Sequence, residues 1–114
     1  MTRISAQARA VYDTEMQAPR ATASADQRWH HLERAHIVSQ PFAWLHTRNH
    51  IAMLRLALTQ HDRREAFGQV IRILVAAPGS LTGRYPEGNT GRVAAGLTTP
   101  MPVPRDLAAV MRSA

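Results

Sequence analysis

Proline 41 constrains this chain more than any other residue, because it stands between two stretches of helical period. It lacks an amide N–H, fixes its own φ and disfavours helix at Gln40, yet it suits the first turn of a following helix. The residues before and after it are therefore expected to form two separate helices with almost no linker. Such short connections make antiparallel neighbours.

Other breaks divide the chain in the same way. The first segment, about Thr2–Ala18, puts Ile4, Ala8, Val11 and Glu15 on one face and is bounded by Pro19. A linker over Pro19–Ala23 leads to Ser24, whose spacing to Gln27 is that of a capping box opening the second segment. The third segment covers about Pro41–Gln60. Asp62 and Glu65 form a second capping box, opening a fourth segment over Asp62–Ala77 that Ala-Pro-Gly should stop. Its stripe of Phe67, Val70, Ile71, Leu74 and Val75 is the cleanest amphipathic pattern in the chain and is expected to face the core. From Gly79 to Pro104 the chain is rich in Gly, Pro and Thr and lacks period, and a short helix is expected over Arg105–Arg112. The expected fold is all-α: residues 1–114 as one helical domain, with an up-down bundle of about four helices (1–78), a long wrap (79–104) and a short terminal helix (105–112).

Composition excludes several functions. Without cysteine there is no disulfide, thiolate metal site or cysteine nucleophile. No apolar run is long enough to span a membrane, and the N-terminus lacks the apolar core of a secretory signal, so a cytoplasmic protein is expected. All fourteen basic residues are arginines and the net charge is +6, which raises nucleic acid as a partner. Yet the arginines are spread singly, apart from Arg63-Arg64, and aromatics make up 5%. That pattern reads as a solvated surface rather than a binding stripe.

Histidine carries the chemistry. Residues 28–54 hold five of the six histidines. Glu33 and His36, at i and i+3, lie toward the inner side of the second segment, and His46 and His50, at i and i+4, lie on the inner face of the third. His30, His31 and His61 point outward. In an antiparallel hairpin, residues equally far from the turn share a level, so Glu33, His36, His46 and His50 form two facing rungs. Three imidazoles and a carboxylate suit Zn, Fe, Mn, Co, Ni or Cu rather than Ca or Mg. With all four bound the site could be closed and tetrahedral; with three, an open position would leave room for water or substrate, with Glu33 as supporting partner or base. No catalytic residue can be assigned.

Around this set, Tyr12 is the residue of the first segment at the right height, and the wrap could cover the site and contribute Glu87 or Asn89; these three are the candidates for supporting the ligands or closing over them. The fourth segment offers only apolar residues, Ile71 to Val75, at that level. Glu15 lies near the other turn and is excluded. Trp29 and Trp44 are expected in the core or at a hinge, and the pattern leaves room for a homodimer that buries Trp44 or completes the site across an interface. Gly88–Arg92, "GNTGR", reads as a turn rather than a phosphate cradle, because the strand–loop–helix context of a P-loop is missing. The competing reading makes the histidines a structural or pH-responsive network in a tetratricopeptide-like interaction module that binds no metal.

The stretches "HLERAHIVSQ", "HTRNHIAMLRLAL", "DRREAFGQVIRILVAAPGS" and "GNTG…MPVPRDLA" resemble a bacterial family known as domain of unknown function 3703. The resemblance covers nearly the whole chain. It implies a small stand-alone protein and brings no established activity, substrate or catalytic residue.

Overall fold

The computed structural model describes residues 3–21 and 24–112. Thr2, Thr22 and Ala23, which the expected first segment and its linker included, lie outside the described residues. Five helices run in order: α1 (Ala6–Ala21), α2 (Ala25–Ser39), α3 (Ala43–Thr59), α4 (Arg63–Thr82) and α5 (Arg105–Arg112). No strand occurs among the described residues, so the all-α class holds. α1 packs on α2, α2 on α3 and α3 on α4, while α5 closes over α2 and α1.

Both side-chain caps read from the sequence form. Ser24 Oγ accepts from the Gln27 amide, and Asp62 Oδ1 accepts from the Glu65 amide. The hairpin at Pro41 also forms, although α3 begins at Ala43 and residues 40–42 make the turn. Two helix ends differ from expectation, both at proline. α1 runs through Pro19 to Ala21, and α4 runs through Pro78 to Thr82. Each proline withholds only its own amide and crowds the carbonyl four residues back, and the helix continues past it. Gly83, at φ +71°, is what stops α4: its amide donates to the Ser80 carbonyl and the next amide, Arg84, donates to that of Gly79. That left-handed closure needs glycine's freedom.

Two apolar clusters hold the bundle. One joins Ala8, Tyr12, Ile37, Val38, Leu45 and Leu107 from α1, α2, α3 and α5. The other joins Trp29, Leu32, Met53, Leu56, Ala57 and Ala66. Ala66 is the one buried residue that α4 supplies to these clusters.

The orientation of α4 overturns a sequence expectation. Its apolar stripe faces outward, with Phe67 70% and Leu74 72% exposed. The inward face carries Glu65, Gln69, Arg72, Ala76 and Ser80, which recur at helical spacing. Glu65, Gln69 and Ser80 meet partners on α3 and the wrap, and that hydrogen bonding decides which face turns in. Trp44, expected in the core or at a hinge, is 67% exposed. Because Leu74 is already in water, Leu74→Gln should change unfolding stability by no more than about 0.5 kcal/mol. A urea titration checks this. A core residue would instead show a loss of about 2–5 kcal/mol.

Candidate metal centre

Three histidines converge where α2, α3 and α4 meet the wrap. His36 lies in the last turn of α2, and His46 and His50 face it from successive turns of α3. The Nε2 atoms form a nearly equilateral triangle: 3.1 Å from His36 to His46, 3.2 Å from His36 to His50 and 3.1 Å from His46 to His50. All three rings are buried. An ion bound at about 2.1 Å needs its donors roughly 3.0 Å apart at cis positions of an octahedron and roughly 3.4 Å apart in a tetrahedron. The observed spacing falls between these. The group could hold a metal ion.

The opposite ring nitrogens are all taken by acceptors. His36 Nδ1 lies 2.6 Å from the Asn89 carbonyl oxygen, which can only accept. His50 Nδ1 lies 2.7 Å from Gln69 Oε1. The amide group of Gln69 is oriented by its nitrogen, which donates to Glu65 Oε2 and to the Gly91 carbonyl. His46 Nδ1 lies 2.9 Å from Ser80 Oγ, whose single hydrogen goes to the Gln40 carbonyl. Each neutral imidazole carries one N–H, and here each must sit on Nδ1. Three Nε2 lone pairs therefore face one another with no hydrogen between them.

Protonation is opposed as well. Burial, then the neighbouring imidazoles, push His36 well below the ordinary histidine range. Burial and the nearby His50 lower His46 to about 3. Burial lowers His50 to about 4 against the raising effect of Gln69. Unfolded histidines titrate near 6.5, so below that pH the unfolded chain binds more protons than the native one. Stability should then be fully present above about pH 6.5 and fall as the pH drops toward 4. For the metal-free protein, His46 and His50 together should cost about 4 kcal/mol between pH 7 and pH 5, with His36 acting in the same direction. Urea titrations at the two pH values measure this, and equal stability at both would contradict it.

The wrap completes the site. Asn89 organises it: its side-chain amide donates to the carbonyls of Ala95, Gly96 and Thr99 while its own carbonyl holds His36. Arg92 lies 3.6 Å from the centroid of the Trp29 ring and donates to Glu65. Gly91 lies directly against the His36 ring. "GNTGR" is thus a pinned, partly buried loop, with Gly88, Asn89 and Gly91 buried.

The remaining residues singled out from the sequence lie elsewhere. Glu33 does not join the histidines, because its carboxylate accepts from Arg92 at 3.3 Å. Burial holds its carboxyl above the usual range against the opposing pull of Arg92. Tyr12 sits in the core and donates its hydroxyl to the Leu45 carbonyl, and burial raises it to about 12. Glu87 is exposed, and its backbone carbonyl accepts from Met101. His31, expected to point outward, is half-buried and lies 3.2 Å from Glu15, which also binds Arg34. His30 and His61 are exposed. The fourth segment was expected to offer only apolar residues, but α4 supplies Gln69, Arg72 and Ser80.

The family model described as a protein of unknown function (DUF3703) matches residues 6–111. The chain belongs to this family. No curated protein and no solved structure matches it. The part of this DUF3703 chain that matches runs from α1 into α5, so it contains the three histidines and each group that holds their Nδ1 atoms.

A cavity of about 570 Å³ opens beside the triangle, with His36, His46 and His50 in its wall. Its volume falls in the range of small-molecule sites. Gln40, Arg72 and Tyr85 line it too.

Proposed function

We propose that this protein binds one transition-metal ion through Nε2 of His36, His46 and His50, for metal binding, sensing or buffering. What carries the reading is the arrangement of hydrogens: every Nδ1–H has an acceptor, and three bare Nε2 lone pairs lie 3.1–3.2 Å apart in a buried site. A cation is the partner that turns this repulsion into attraction. Outer groups that fix imidazole tautomers in this way accompany most metal-bound histidines. Glu33 is not part of the proposed ligand set, since Arg92 occupies its carboxylate. Nitrogen-only ligation favours Zn, Co, Ni, Cu or Fe over hard oxygen-seeking ions. Three protein ligands leave at least one coordination position open, on the side of the cavity.

The structural-network reading has less support. A histidine network needs N–H donors between its rings, and here the donors point away from one another.

Metal content of protein purified without a histidine tag, by inductively coupled plasma mass spectrometry, tests the proposal. About one equivalent of a transition metal is expected, as isolated or after loading. No metal, and no thermal stabilisation by Zn, Co, Ni, Cu or Fe, would overturn it.

A further inference from the structure

The cavity beside the histidines has a wall of one electrostatic sign. It includes Arg72 and Arg84 beside the three imidazoles and no acidic side chain. Arg84 is exposed, whereas Arg72 is buried. Among the described residues no carboxylate forms an ion pair with Arg72. Its guanidinium donates to the Gly68 carbonyl in its own helix. The carboxylate that could neutralise it, Glu65, is engaged by Arg92 and by the Val93 amide. The charge of Arg72 also reaches His36 and His50, making both harder to protonate.

Glu65 attracts the Arg72 guanidinium electrostatically without pairing with it. A buried guanidinium compensated only in this way is costly, and a divalent ion on three neutral ligands adds two further positive charges beside it. An anion in the cavity would compensate both. Carbon lines much of the cavity rim, from the exposed residues Val75, Pro78, Leu97 and Pro100. That favours an anion with an apolar body over a small inorganic one. Gln40 adds a buried Oε1 that lacks a partner among the described residues, an acceptor for water or a hydroxyl brought in with the anion.

We propose that the cavity binds a small organic carboxylate, its head shared between the open coordination position of the ion and the Arg72 guanidinium. This rests on the metal reading above. Arginine presents paired N–H donors that match carboxylate geometry, which a lone metal position does not.

The test uses the full chain loaded with cobalt(II), whose visible absorption reports its coordination. Benzoate and propionate should shift the bands saturably, and neutral benzamide should not. Arg72→Met should weaken benzoate binding on the order of tenfold or more, the size of a charge-assisted hydrogen bond, with cobalt stoichiometry unchanged. Arg72→Lys, which keeps the charge but loses the paired donors, should bind benzoate more tightly than Arg72→Met and less tightly than the native protein, and guards against a folding defect in the first variant. If cobalt binds at one equivalent and carboxylates leave its spectrum unmoved, or benzamide binds as well as benzoate, the carboxylate inference fails and the metal reading stands. If Arg72→Met and Arg72→Lys both bind benzoate as the native protein does, Arg72 has no such role. If cobalt does not bind at all, both fall together.

Discussion

The His46→Ala/His50→Ala variant is expected to bind no transition metal at concentrations that saturate the native protein. Both side chains contribute nitrogens to the 3.1–3.2 Å triangle, and a single remaining imidazole gives no chelate. With free metal at about 100 times its dissociation constant, the native protein should gain about 2.7 kcal/mol, on the order of 10 °C in melting temperature. The variant should gain nothing. Its own folding is helped by removal of two buried groups that repel each other and hindered by the space left behind. Gln69→Leu provides a milder variant. It leaves all three ligands in place but takes away the acceptor that holds the His50 proton on Nδ1. Metal affinity should then drop about 10- to 100-fold, the usual effect of losing a partner behind a ligand. A structural network predicts a different pattern: Gln69→Leu would destabilise the protein equally with and without metal. Equal thermal shifts in the native protein and the double variant would remove His46 and His50 from the site.

The hairpin and the meeting of its histidines were legible because both follow from local rules. Pro41 forces the break, the i, i+4 spacing puts His46 and His50 on one face, and antiparallel register brings His36 level with them. Glu33 followed the same rule of levels, but a partner outside the hairpin took it. Arg92 comes from the wrap, which has no period from which a position could be read. The partners on α4 were readable in principle. Glu65, Gln69, Arg72, Ala76 and Ser80 recur at helical spacing, but the apolar stripe beside them is the stronger pattern and argued for the opposite face. Hydrophobic periodicity presumes that burial belongs to apolar residues. Where buried imidazoles must be hydrogen-bonded, a polar face turns inward instead. Asn89 was singled out as a supporting or covering residue, through its side chain. Its contact with His36 is made by a backbone carbonyl, which side-chain identity cannot reveal, while its side chain folds the loop that delivers that carbonyl.

Gly91→Ala is expected to damage both the fold and the site. Gly91 has φ +84°, a left-handed conformation that costs alanine on the order of 1–2 kcal/mol. A Cβ there would also lie 2.6 Å from Cδ2 and 2.8 Å from Cγ of His36, closer than carbon atoms can approach. The ring cannot yield without loss, because its Nδ1 is held by Asn89 two residues earlier in the same loop. Either His36 leaves the triangle or the loop lifts from α2, breaking the Gln69 contact to the Gly91 carbonyl. A stability loss of about 2–4 kcal/mol follows from strain and overpacking together. Metal affinity should drop at least as far as in Gln69→Leu. Gly83→Ala separates the two causes. Gly83 also has a positive φ, of +71°, but a Cβ there would meet nothing within 4 Å. That variant should lose only the backbone term, about 1 kcal/mol, and keep native metal affinity. Urea titrations and zinc titrations of the two variants make the comparison. Equal losses in both would mean that Gly91 matters for its backbone alone and that the loop does not hold His36 in place.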